Sequence, residues 1–218
     1  MTRLPLSTDR DLEVLRFAGE QYGVSAELAE ELCARLAPAP LAPGPRETTA
    51  RRALTRLDNS GFIDRLRVGR LGVWAVPTTR GLRMAGLPYE RWQPSAWKLR
   101  HIEAVSRLRL YLADHEPTAT WVCERELRHR WAGSGARVRI ADGALIFPDG
   151  AAIGIECELH VKAAHRYQAA VADVDPSWSA SVWWFVPTAQ VGLLRSRLQA
   201  AGAGAQHEVV AAPEGVAS

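Results

Sequence analysis

Three carboxylates in the second half of the chain stand where an apolar strand should not want them. Asp142 follows Ile140 and Ala141 in RVRIADGALIF, and Glu156 and Glu158 lie two apart in AAIGIECEL. Side chains two apart on a strand project from the same face, so Glu156 and Glu158 are expected to share one. A turn at Pro148-Asp149-Gly150 brings Asp142 on one strand beside Glu156 or Glu158 on the next. Carboxylates crowded in this way repel one another unless a cation shares them. Mg²⁺ suits such a group, because it is a hard ion content with two carboxylates, waters and a substrate phosphate; Mn²⁺ is the alternative. The chemistry these residues predict is metal-assisted work at a phosphate.

The elements that must position them follow from hydrophobic periodicity. Residues 98–115 read as a long amphipathic helix with Ile102, Val105, Leu108 and Leu112 inward. A short strand at 118–123 and a turn or short helix at 124–131 come next. Strands at 137–147 and 151–159 carry the three carboxylates. Helix 161–174, a buried strand at 179–186 that takes Trp183 and Trp184 into the core, helix 188–201 and a weak strand at 206–211 complete the series. The order α-β-β-β-α-β-α-β predicts a mixed sheet flanked by helices.

The first half has a different pattern. Residues 9–23 and 25–36 have apolar positions at helical spacing, with Ser7 or Thr8 and then Ser25 as N-caps. The Pro-rich stretch 37–45 reads as a loop. A third helix at 46–62 turns Ala50, Ala53, Leu54 and Leu57 inward and closes on Asn59-Ser60-Gly61. Two short strands around Gly69–Gly72 form a hairpin with Trp74 as core filler, and 78–87 is a short closing helix. Three helices followed by a hairpin is the layout of a winged helix-turn-helix. Its third helix exposes Arg46, Arg51, Arg52 and Arg56 toward a major groove, and its wing carries Arg65, Arg67 and Arg70 toward phosphates. The alternative is that the same arginines form a solvated, salt-bridged helix face, but helix order, hairpin and local charge together favour DNA contact.

Charge and length set bounds on these readings. A chain of 218 residues suits two domains, placed at 1–87 and 98–218 with a linker at 88–97. The net charge is only +3, yet residues 46–91 hold ten Arg against four Asp and Glu, a local footprint for a polyanion. Only two of the 27 cationic residues are lysines, Lys98 and Lys162. No apolar run approaches the ~20 residues needed to span a bilayer. Cys33, Cys123 and Cys157 form no C-x-x-C pair, so a disulfide framework or zinc site is not expected and a cytoplasmic setting is. The motifs of P-loop NTPases, serine hydrolases and zincins are absent.

The start DRDLEVLRF, the helix RRALTRL, GVWAVPTTRGLRMAGL, the H-x-x-A-V helix at His101, WVCERELR, RVRIADGALIF and GIECELHVK resemble the replication-relaxation family of plasmids and mobile elements. That resemblance implies an α+β protein, a winged helix followed by a PD-(D/E)xK-like αβββαβ domain with a mixed sheet. It also implies Asp142 and Glu156 as metal ligands, with the Cys157 carbonyl as a third. Glu158 stands where such nucleases carry a lysine. Lys162, expected at the start of the next helix, would supply the ammonium by pointing into the Asp142/Glu156 cluster, or else would only neutralise Glu158. Glu103, Glu124 and Glu126 are further candidate ligands, and His160 and His165 flank Lys162. The partner implied is double-stranded DNA, with no membrane; a homodimer is compatible. Two functions stay open: a Mg²⁺-dependent endonuclease, or a transcription or replication regulator whose inactive nuclease fold serves dimerisation or partner contact.

Overall fold

The computed structural model describes residues 8–93, 95–131, 139–172 and 181–216. The chain divides into two compact units, Met1–Glu103 and Ala104–Ser218. Both combine helices with a sheet.

In the first unit the apolar spacing produces its helices. α1 (Asp9–Glu20) buries Val14, Leu15, Phe17 and Ala18. β1 (Val24–Ser25) leads directly into α2 (Ala26–Arg35), where the Ser25 hydroxyl accepts from the Leu28 N–H at 3.1 Å. α3 (Pro43–Asn59) starts inside the Pro-rich stretch that the sequence assigns to a loop. Proline is tolerated there because first-turn N–H groups have no intrahelical acceptor to lose. The helix closes at Gly61, whose φ of 69° suits a residue without Cβ. β2 (Ile63–Arg67) and β3 (Val73–Pro77) form a hairpin through a 3₁₀ turn at Gly69–Leu71. β1 adds to β3 as an antiparallel neighbour, giving a three-stranded sheet in the order β1-β3-β2. α4 (Thr79–Met84) is capped by Thr78, whose Oγ1 accepts from the Gly81 N–H and donates to the Gly61 carbonyl.

α5 (Ala96–His115) begins in the first unit and continues into the second. Its Leu99 and Ile102 pack with the buried Trp74, and Trp92 lies partly buried beside them. The division between the two compact units falls within α5, at 103/104, six residues beyond the 88–97 stretch expected to be a linker.

The second unit continues with β4 (Thr120–Cys123), α6 (Glu124–Trp131), β5 (Gly143–Ile146), β6 (Ala152–Cys157), α7 (His165–Ala172), β7 (Ser181–Val186), a 3₁₀ turn at Thr188–Gln190, α8 (Val191–Ala200) and β8 (His207–Ala211). They build one mixed sheet in the order β4-β5-β6-β7-β8. β4, β5 and β6 pair antiparallel, while β6, β7 and β8 run parallel. Leu145, Ile155, Cys157 and Phe185 pack against Ala104, Val105, Leu108 and Leu112 of α5. Val182, Trp184, Val186 and Val209 pack on Tyr167, Ala170, Leu194 and Leu198 of α7 and α8. Alternation along β6 thus gives Ile155 and Cys157 to the α5 core and leaves Glu156 on the Trp184 side. Among the described residues no helix is long and apolar enough to cross a membrane.

α4 approaches the chain before β2 so closely that only glycine fits at position 81. A Cβ there would lie 1.9 Å from the Phe62 carbonyl oxygen. Gly81→Ala must displace α4 or β2, and should lower stability by about 2 kcal/mol, read as a lower urea midpoint. An unchanged midpoint would show that the two segments are not in contact.

Candidate functional site

The three carboxylates are gathered at the end of the β5–β6 ladder. The last pair of that ladder on this side is Gly143 with Ile155, so Asp142 and Glu156 stand one step beyond it. β5 is shorter than the expected 137–147 strand, of which residues 137 and 138 lie outside the described residues. It begins only at Gly143, because the Asp142 side chain itself takes a ladder position: Oδ2 accepts from the Cys157 N–H at 2.8 Å. β6 ends at Cys157, and the Glu158 N–H donates to the Phe185 carbonyl of β7. Both Glu156 and Glu158 are buried, with 6% and 5% exposure.

Each buried glutamate has a cation of its own. Arg139 grips Glu156 with two hydrogen bonds, Nε to Oε1 and Nη2 to Oε2, both 3.0 Å. Its guanidinium also lies 5.7 Å from the Trp184 ring centroid. Burial works against the Arg139 charge, but the charge and hydrogen bonds of Glu156 outweigh it and raise the Arg139 pKa. Lys162 Nζ donates to Glu158 Oε1 at 2.8 Å. Of the two expectations for Lys162, the neutralising pair with Glu158 is the one formed, and its Nζ is not hydrogen-bonded to Asp142 or Glu156. Lys162 also precedes α7 and does not open it: its N–H donates to the buried Tyr167 hydroxyl, and the Val161 N–H to Gln190 Oε1, both at 2.9 Å.

The carboxylate oxygens at which a metal is expected have other partners here. Both Glu156 oxygens face a guanidinium, Asp142 Oδ2 faces a backbone N–H, and Glu158 Oε1 faces an ammonium. Among the described residues no group of three His, Cys, Asp or Glu side chains is disposed to hold a metal ion. Of the auxiliary candidates, Glu124 pairs with Arg128 and Glu126 with Arg130 along α6. Glu103 lies on α5, His160 is exposed before α7, and His165 opens α7. Arg139 is the member of the cluster that sequence reading missed. Its signal was arithmetic: three carboxylates crowded together, one lysine near them, and an arginine three residues before Asp142.

In the first unit the expected arginine set splits in two. Arg56 is turned inward, with Nε and Nη2 each 2.7 Å from an oxygen of the fully buried Asp11. That hydrogen-bonded pair raises the Arg56 pKa. Arg56, expected to face outward with Arg51 and Arg52, is a third exposed and joins α3 to α1 through this pair. Arg65 donates to Thr55 Oγ1 at 2.9 Å and pairs with Asp58 at 3.4 Å, so it clips the hairpin to α3. Arg46 Nε donates to the Leu41 carbonyl at 2.6 Å. Arg51, Arg52, Arg67 and Arg70 are exposed, and no ion pair among the described residues engages them. Trp74 is core, as expected, its Nε1 donating to the Leu71 carbonyl.

No protein-family model and no curated protein matches this sequence. Two solved structures show a distant likeness. Protein VC1899 from Vibrio cholerae is 14% identical, matched over 97% of this chain and 55% of that one, with a TM-score of 0.34. The structure described as PigF with SAH is 17% identical, matched over 94% of this chain and 57% of the other, with a TM-score of 0.23. The chain spans a little over half the length of each. At these values neither neighbour informs the fold or the function.

The pH response of the second unit follows from Glu156. Burial pushes its carboxyl up to about 7 from an ordinary 4.5; Asp142 adds to this, Arg139 opposes it, and Glu158 adds again. A carboxyl raised on folding contributes stability that is whole below its unfolded pKa and is lost as pH rises through the folded value. Melting temperature should therefore fall between about pH 5 and about pH 8 more steeply in the wild type than in Glu156→Gln. Superimposable profiles would contradict it.

Proposed function

We propose that this chain is a DNA-binding protein of the plasmid or mobile-element type. In this reading its first unit is a winged helix that holds double-stranded DNA, and its second is a PD-(D/E)xK-like domain retained as a scaffold. It would act as a replication or transcription regulator and not as a nuclease. The observation that carries the binding half is the allocation of arginines. Arg51 and Arg52 on α3 and Arg67 and Arg70 on the hairpin remain exposed, while Arg56 and Arg65 serve the fold. The Arg65 clip supports a shared role, because it holds the hairpin beside α3 where one duplex can meet both. α3 would then address base edges and the hairpin arginines the phosphates.

For the second unit, the ion pairs of Glu156 and Glu158 favour the scaffold reading. A nuclease needs carboxylate oxygens open to a divalent ion and a cation open to the phosphate. Here Arg139 covers the first and Glu158 takes up the second. The cleavage reading keeps one observation in its favour, the adjacency of Asp142 and Glu156 at one ladder end.

The full-length protein should shift duplex DNA at low salt, with affinity falling steeply as salt rises. Arg67→Ala and Arg70→Ala should each shallow the log–log salt slope by about 0.9. Supercoiled plasmid should stay intact in Mg²⁺ or Mn²⁺. Absence of any shift at low salt would remove the DNA-binding reading. Metal-dependent nicking that Asp142→Ala abolishes would replace the scaffold with an enzyme.

A further inference from the structure

We propose that Arg139 is the built-in cation of the Asp142/Glu156/Glu158 cluster, occupying the carboxylate oxygens that a divalent ion would need, so that its removal opens a latent divalent-cation site. The inference rests on the nuclease-like reading of the second unit and explains how that site is closed.

The geometry supports a resident cation and not a passing surface pair. Glu156 is buried, and both its oxygens are used in a two-pronged contact at 3.0 Å. A planar guanidinium matches a carboxylate in this way, whereas an ammonium would reach it at one point. The Trp184 ring, itself fully buried, borders the guanidinium and favours a cation there. Trp184 is in turn fixed by an edge-on contact with Tyr167, the residue whose hydroxyl holds the Lys162 N–H. The aromatic pair thus borders the Arg139 guanidinium through Trp184 and holds the Lys162 backbone through Tyr167.

Charge accounting gives the same result. Asp142, Glu156 and Glu158 would bring three negative charges to one ladder end, and Arg139 and Lys162 return two. Removing Arg139 leaves Glu156 buried with no cation of its own, so that it must either take up a proton or draw in a small hard ion, and alkaline pH favours the ion. Asp142, one register step from the Gly143–Ile155 pair, then adds a second oxygen donor from the neighbouring strand.

The test uses full-length protein at pH 8 with Mn²⁺ titrated by thermal melting and Tb³⁺ by luminescence, which a nearby tryptophan sensitises. Wild type should show no saturable melting shift and no sensitised emission. Arg139→Ala should show both, with affinity tighter than wild type on the order of ten-fold or more, and adding Glu156→Gln should abolish them. Arg139→Gln, which retains a side chain beside Trp184, should behave like Arg139→Ala. If both variants fold poorly, Mn²⁺ should restore their helical circular dichroism. The proposal is overturned if wild type already binds Mn²⁺ through Glu156, or if the variants bind no better than wild type and gain no structure from metal. A wild type that cleaves plasmid in Mn²⁺ would instead overturn the scaffold reading, so the two failures are told apart.

Discussion

A carboxylate taken out of water must find a cation or give up its charge, and this requirement organises both halves of the molecule. Asp11 is wholly buried and takes Arg56; Glu156 and Glu158 are nearly so and take Arg139 and Lys162. In each pair the carboxylate is the buried partner, while Lys162 is half exposed and Arg56 and Arg139 about a third, so solvent screens the Lys162 pair most. Losing one partner of a buried pair typically costs about 3–5 kcal/mol, because the survivor is left charged in a poor dielectric. The cations that satisfy these groups are therefore committed to the fold, and those that remain exposed define what the surface can bind.

That division links stability to function. In the first unit, Arg56 fastens α3 to α1 and Arg65 fastens the hairpin to α3, which leaves α3 and the hairpin presenting Arg51, Arg52, Arg67 and Arg70 from one framework. In the second unit, the demand of Glu156 and Glu158 removes the free carboxylates and the free lysine that metal-assisted cleavage would require. In the proposed reading, one physical rule thus gives the first unit its polyanion-facing cations and the second unit its role as a scaffold.

The regular elements were legible because their burial follows the sequence period. α1, α2 and α5 have one apolar stripe, and the β7 run SVWWFV is buried apart from partly covered Ser181 and Trp183, as its composition suggests. β1 was not legible, since two residues carry no period; it exists because Val24 and Ser25 find Ala75 and Trp74 across the sheet. The early start of α3 was hidden by prolines that stop a helix in its interior but not in its first turn. α7 starts later than its apolar pattern because the Lys162 N–H goes to Tyr167 and the Val161 N–H to Gln190. Strand alternation and the Pro148–Gly150 turn bring the three carboxylates to one ladder end, and both features are local in the sequence. The counter-ions were harder, because pairs separated by 17 and 45 residues in sequence leave no local mark.

The comparison that bears most directly on this division sets Arg56→Ala beside the double variant Arg51→Ala/Arg52→Ala in the full-length protein, with melting temperature and duplex DNA affinity measured on each. Arg56→Ala should lower the melting temperature markedly while the folded fraction binds DNA within about two-fold of wild type. The double variant should melt like wild type and bind DNA weaker on the order of ten-fold. The opposite pattern, with Arg56→Ala losing DNA at unchanged melting temperature, would mean that Arg56 faces the ligand and that buried Asp11 does not hold it.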